Sequence, residues 1–350
     1  MRARTPERDA RRRVFILNNY DLRDAFDRVA GGELPSQHLW GAWELRNDVD
    51  WLMPPHNWVS SRTPLTSLLR RLMPFLGDLA QEAHVLTHAR RGDIVYAADQ
   101  QSSALLGALR RMGLLRCRLV VVVHNGPRSR WTRWWMGGAD ALLSLGETIA
   151  ARNTQALARS VLPMPWGPGL SSPVYQLVTG ASETPWDFVA AGNTNRDYDI
   201  LEAAALQRRL SGCIVEAGTA RIIDRGTVVE TRAIDGYPDL VRMIRASRCV
   251  VIPLSDPDRL SGLTEAADAL ALETPIIVTH SDLFPYAAED IVRIEPGRAD
   301  ALGDALVAMR PEPTGLREVV LGANMDVYAS RLAEVFASVG LSDGQVPAHR

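Results

Sequence analysis

Short runs of consecutive apolar residues recur along the chain, separated by longer stretches whose apolar positions fall at helical spacing. A run without polar alternation marks a strand covered on both faces, as in a parallel sheet. In the first half such runs predict strands at 14–17, 50–53, 93–97, 119–123 and 141–144. Helices are expected between them at 33–46, 65–89 (kinked or split by Pro74), 101–112 (stopped by Gly113) and 131–136. In the second half, strands at 186–191, 213–215, 227–230, 249–253 and 275–279 alternate with helices at 195–210, 237–246, 264–272 and 299–309. A last helix is expected over 317–339.

Strands alternating with helices build βαβ units and parallel sheets. The rhythm breaks at 161–173, where Pro163, Pro165, Gly167, Pro168, Gly169 and Pro173 give a linker composition. The expected fold class is therefore α/β, with two doubly wound Rossmann-like domains facing a cleft. The expected boundaries are a disordered basic tail at 1–12, an N-terminal domain at 13–163, a hinge at 164–173, a C-terminal domain at 174–316, and a helix at 317–340 returning to the N-terminal domain.

Length agrees: 350 residues suffice for two cores. The formal net charge is −2, so no global field selects nucleic acid as a partner. All 39 basic residues are arginine, so any cationic site uses a planar fork rather than an ammonium. Cys117, Cys213 and Cys249 are far apart and form no CxxC pair, which excludes a zinc site built from their spacing and suits a reducing compartment. The apolar run after the basic N-terminus is too short for a signal-peptide core, and no stretch reaches the length of a membrane span. A cytoplasmic location is expected.

Candidate chemistry gathers at strand ends. The segment Ser261-Gly262-Leu263-Thr264 follows a buried strand and opens a helix, whose first amides lack partners and suit a diphosphate. Asp268, one turn on, could accept hydrogen bonds from a ribose diol. Gly192-Asn193 and Arg196 follow another strand, and Arg196 could clamp the same diphosphate. His124 and Asn125 follow the 119–123 strand.

The block at 261–279 resembles the donor-site motif of retaining family 4 glycosyltransferases, one subgroup of which reads S-G-x-T-x-x-x-E-A-x-A-x-G-x-P-V-I-V-T. The Ser, Gly, Thr, both Ala and the Pro agree in register without a gap; Asp268 stands where the family has Glu, and Glu273 where it has Gly. The segments 188–197, 161–168 and 139–147 resemble the loop opening the family's second domain, its interdomain linker and the strand before that linker. The family's cation after the loop glycine is here Asn193.

The resemblance implies a two-lobed (GT-B) enzyme that transfers a sugar from a nucleotide-diphosphate sugar to a glycan, lipid-linked or small-molecule acceptor. It implies no metal, no cofactor beyond the donor, and retention at the anomeric carbon. It implies His124 and Arg196 as catalytic; Gly192, Asn193, Ser261, Gly262, Leu263, Thr264 and Asp268 as donor-binding; and Gly31, Gly32 and Asn125 as acceptor-binding. Two alternatives fit the same pattern: another enzyme of this fold, such as a nucleotide-sugar epimerase, and a non-catalytic nucleotide-sugar-binding relative.

One further feature stands apart. Residues 100–139 contain seven arginines and no acidic residue, with Trp131, Trp134 and Trp135 interleaved among Arg128, Arg130 and Arg133. Such a stretch suits an anionic membrane surface, making the protein peripheral to the inner face of the membrane, or an anionic acceptor. The bland alternative is tryptophans in the core and arginines in water.

Overall fold

The computed structural model describes residues 11–56, 77–127, 129–176, 186–310 and 315–341. Most of the expected tail, the 65–76 part of the helix expected at 65–89, and Arg128 lie outside the described residues. The chain divides into two compact units. Unit one takes residues up to Phe26, Leu39–Met164 and residues from Tyr328 on; unit two takes Asp27–His38 and Pro165–Val327.

Unit one is built on β1 (Arg12–Leu17), β2 (Val49–Leu52), β3 (Ile94–Ala97), β4 (Arg118–Val122), β5 (Ala141–Ser144) and β6 (Leu162–Pro163). They form one parallel sheet in the order β2-β1-β3-β4-β5-β6. Every residue of β3 is buried, which is why these runs carry no polar alternation. The helix Ala104–Arg111 meets the helix Arg130–Met136 at Gly107, where a Cβ would strike the Trp135 ring and carbonyl. Tyr96 on β3 and Tyr328 on the last helix are both buried, and their hydroxyls satisfy each other at 2.6 Å.

Unit two is built on β7 (Phe188–Ala191), β8 (Gly212–Glu216), β9 (Thr219–Asp224), β10 (Thr227–Ala233), β11 (Val250–Ile252), β12 (Ile276–Thr279) and β13 (Ile291–Ile294). Their order is β10-β9-β8-β7-β11-β12-β13. The run β8-β7-β11-β12-β13 is parallel, and β9 and β10 extend it as an antiparallel hairpin. Both domains are thus Rossmann-like. Cys117, Cys213 and Cys249 are buried and free, and burial pushes their thiols up to about 11, 12 and 12. Among the described residues no helix is long and apolar enough to cross a membrane.

The structure corrects several expectations. The helix expected at 33–46 is instead a helix at Leu22–Ala30, ended by Gly31 and Gly32, and a short 3-10 turn at Ser36–Leu39. The last helix is two, Leu316–Gly322 and Met325–Leu341, because Asn324 interrupts it. Its Oδ1 accepts from the Asp326 and Val327 amides and caps the second helix. In the Pro/Gly stretch Trp166, Gly167, Pro168 and Gly169 are all buried. A Cβ at Gly167 would overlap the Ala323 carbonyl, and one at Gly169 the Ser36 hydroxyl, so these glycines serve close approach.

The helix Leu263–Ala271 ends in a Schellman motif. Thr274 N–H donates to the Ala269 carbonyl at 2.8 Å and Glu273 N–H to the Leu270 carbonyl at 3.2 Å. That motif needs a left-handed residue, and Glu273 supplies it at φ 52° where glycine would do so without strain. Glu273→Gly is therefore expected to stabilise the protein by about 1 kcal/mol, read as a raised urea midpoint at unchanged slope.

Candidate functional site

In unit two β7 has β8 on one side and β11 on the other, so the strand order reverses direction between β7 and β11. The crevice beyond the strand ends at such a switch point is where open α/β sheets bind ligands. Two loops border it, 192–197 after β7 and 253–262 after β11, and they are zipped together. Arg196 pairs with Leu254 as an isolated antiparallel bridge. The Asn195 Oδ1 accepts from the Ser255 hydroxyl and the Asp256 amide, both at 2.8 Å. Asn193 pins the first loop to the β8–β9 turn by accepting from the Ala217 amide at 2.5 Å. Tyr198 holds the Gly192 carbonyl at 2.7 Å.

The helix Leu263–Ala271 follows the second of these loops. Its N-cap is Gly262, in the left-handed region at φ 83°, and no side chain caps it. A Cβ at Gly262 would strike Ile252 on β11, so only glycine lets the helix start this close to the sheet. With no side-chain cap, the first amides and the positive end of the helix dipole lie at this helix start.

Arg196 crosses the same crevice. Its Nε donates to the Ala191 carbonyl at 3.1 Å, and its Nη1 to the Thr194 carbonyl at 2.7 Å and the Ser261 hydroxyl at 2.9 Å. Its Nη2 pairs with Glu265 Oε1 at 2.9 Å, with side chains only 5% and 13% exposed. Gly192, at φ 112°, lies under this pair; a Cβ there would strike both partners. Glu265 is the third residue of the helix, so its carboxylate sits at the positive helix end and beside a guanidinium. It occupies, electrostatically, the place of an anion. Thr264 is half-buried.

Asp268 lies elsewhere. It is 1% exposed, and its oxygens are already taken. Oδ1 accepts from the Tyr175 hydroxyl at 2.6 Å and from Gln37 Nε2 at 3.0 Å; Oδ2 accepts from the Tyr237 hydroxyl at 2.5 Å. The ribose contact expected of Asp268 does not suit a carboxylate so enclosed. Burial outweighs its three donors and raises its pKa from the usual 3.8 to about 7. Burial also holds both phenols well above their usual range, so they remain donors. His38 completes the cluster, its ring edge-on to Tyr237 at 5.4 Å, and burial pushes its imidazole down to about 4.

Unit one has its own switch point, with β1 flanked by β2 and β3. His124 lies beside it. The His124 backbone amide donates to Gln100 Oε1 at 3.0 Å, and the Asn125 amide to the same oxygen at 3.4 Å. His124 Nε2 is 2.7 Å from the Ala98 carbonyl, which can only accept, so Nε2 carries a proton and Nδ1 is left to meet a ligand. The Trp40 ring meets the imidazole edge-on at 5.2 Å. Burial pushes the neighbouring Asp99 carboxyl up. Gly31 and Gly32, by contrast, belong to unit two and end a helix: their amides donate to the Asp27 and Val29 carbonyls, and Gly32 takes φ 74°. Helix termination accounts for both glycines, and they do not join His124 and Asn125 in one unit.

The structure thus brings together Gly192, Asn193, Arg196, Ser261, Gly262, Leu263 and Thr264. Sequence reasoning missed Glu265, whose signal was its position at the third helical residue, and the Gln37–His38–Tyr175–Tyr237 cluster, which local spacing does not signal.

Two Rossmann-like domains, the second with an uncapped helix start at its switch point, make the fold that of the GT-B glycosyltransferases. Solved structures agree. The α,α-trehalose 6-phosphate synthase of Burkholderia multivorans superposes with a TM-score of 0.64 at 13% identity, over 97% of this chain and 99% of that one. Sucrose-phosphate synthase of Thermosynechococcus elongatus gives 0.62 at 13% identity, over 94% and 99%. The UDP-GlcNAc 2-epimerase of Methanocaldococcus jannaschii, solved with UDP-GlcNAc and UDP, gives 0.53 at 11% identity, over 93% and 99%. No protein-family model matches the chain, and no curated protein matches it in sequence.

Proposed function

We propose that this protein is a glycosyltransferase that takes a sugar from a nucleotide-diphosphate sugar held by unit two. The observation that carries the reading is the helix start at Gly262, which no side chain caps and which has Arg196 beside it. The diphosphate accepts from the first helix amides and the Thr264 hydroxyl, and draws Arg196 away from Glu265. As the sugar leaves, charge grows on the diphosphate, and the dipole and guanidinium stabilise it there without a metal. His124 and Asn125 serve the acceptor side in unit one, with His124 Nδ1 accepting from a sugar hydroxyl. Retention at the anomeric carbon follows from the resemblance of the 261–279 block.

Glu265 is the residue that competes with the donor. Glu265→Gln is expected to tighten nucleoside-diphosphate binding about fivefold, read by calorimetry, because a carboxylate leaves the anion's neighbourhood. Weaker binding in this variant would show that Glu265 itself holds the ligand.

The reading is tested by a thermal-shift panel of nucleotides and nucleotide sugars. Saturating ligand at a hundred times its dissociation constant stabilises by about 2.7 kcal/mol, a shift readily measured. One base and one sugar should stand out, and EDTA should leave the shift and subsequent transfer unchanged. No response to any nucleotide sugar would refute the proposal. Interconversion of the free donor without an acceptor would assign the site to an epimerase instead.

A further inference from the structure

We propose that unit one docks on an anionic lipid bilayer through the adjoining ends of the helices Ala104–Arg111 and Arg130–Met136. The two helices touch at Gly107 and Trp135, and Arg111 Nη1 donates to the Gly137 carbonyl at 3.3 Å, so their C-terminal ends lie side by side. From the first end the chain turns outward through Met112, Gly113 and Leu114. Met112 is 54% exposed, Leu114 65% exposed, and a Cβ at Gly113 would meet nothing within 4 Å. On the second helix Trp134 is 38% exposed and stacks on Trp131 at 5.2 Å, while Trp135 turns into the core. Three large apolar side chains therefore project from neighbouring elements.

Arginines surround them. Arg111, Arg116, Arg130 and Arg133 are exposed and enter no ion pair among the described residues. The acidic residue that follows this stretch, Asp140, is taken by Arg110 at 2.6 Å and Arg118 at 3.1 Å. This surface offers unpaired positive charge with apolar tips at its centre, which is what an anionic headgroup layer over acyl chains complements. A soluble polyanion would satisfy the arginines and leave Met112, Leu114 and Trp134 in water. A second copy of the chain would set like charges against one another.

Co-sedimentation with vesicles tests the proposal. Wild-type protein should sediment with phosphatidylcholine vesicles containing about one-third phosphatidylglycerol, not with phosphatidylcholine alone, and should be released as salt is raised. The double variant Arg130→Gln/Arg133→Gln should lower the partition coefficient about 25-fold, at about fivefold per arginine. Leu114→Ser/Trp134→Ser should also release the protein and abolish a blue shift of tryptophan emission on binding. All four residues are exposed or half-exposed, and circular dichroism checks that the fold survives. Equal sedimentation with neutral and anionic vesicles would overturn the proposal. So would binding that ignores the arginine changes, or that ignores the Leu114 and Trp134 changes; the latter would mark a polyanion site. The proposal is independent of the nucleotide site, whose thermal shift these variants should keep.

Discussion

Arg196→Ala is expected to reduce sugar transfer to background and to destabilise unit two by about 3 kcal/mol. The two effects have separate origins. The guanidinium joins Ala191, Thr194, Ser261 and Glu265, so its loss unzips the loop after β7 from the helix start and leaves Glu265 nearly buried without a partner. That accounts for stability. On the proposed function, the loss of transfer comes from removing the cation that would face the leaving diphosphate. Arg196→Ala/Glu265→Gln separates them: stability should recover in large part, since the orphaned charge is gone, while transfer stays at background. If transfer returned along with stability, Arg196 would be a strut and nothing more.

The second large effect is a pH dependence centred on Asp268. Its carboxyl holds its proton more tightly in the folded chain, at about 7, than in the unfolded one, near 3.8. The folded state therefore binds more protons between these limits, and stability falls as pH rises through the window. The steepest slope is about 1.4 kcal/mol per pH unit, so between pH 5 and pH 8 the group withdraws about 3 kcal/mol. Asp268→Asn should abolish this fall while keeping an acceptor for Tyr175 and Gln37. His38, pushed down to about 4, and buried Glu82, pushed up to about 9, titrate in both proteins, so the difference between the two urea curves isolates Asp268. Parallel pH profiles for the two proteins would contradict the burial argument.

Most strand positions and the domain count were legible because both domains are built on parallel sheets, whose strands read as unbroken apolar runs. The hairpin β9–β10 is half legible: the strand expected at 227–230 falls in β10, whereas β9, with only Ala220 and Ile223 buried, carries no unbroken apolar run. The helix Leu22–Ala30 was overlooked in favour of the glycines that end it. In the site, the glycine-opened helix could be read from Ser261-Gly262-Leu263-Thr264 alone, because an uncapped helix start is a local property. Which carboxylate faces the crevice could not. Glu265 and Asp268 lie three residues apart on one helix, and their roles are divided by Gln37, Tyr175 and Tyr237, which reach Asp268 from distant parts of the chain. Glu273 shows the reverse: the family's glycine at that position marks a left-handed residue, and the φ of 52° there is what a glycine would relieve.

A titration of the backbone amide resonances with a nucleoside diphosphate reaches the central claim most directly. The account predicts that the amides of Gly262, Leu263 and Thr264 shift first and furthest, with those of Gly192 and Arg196 following, and that all saturate at one dissociation constant. Saturable binding that moves other amides and leaves Gly262–Thr264 in place would contradict it.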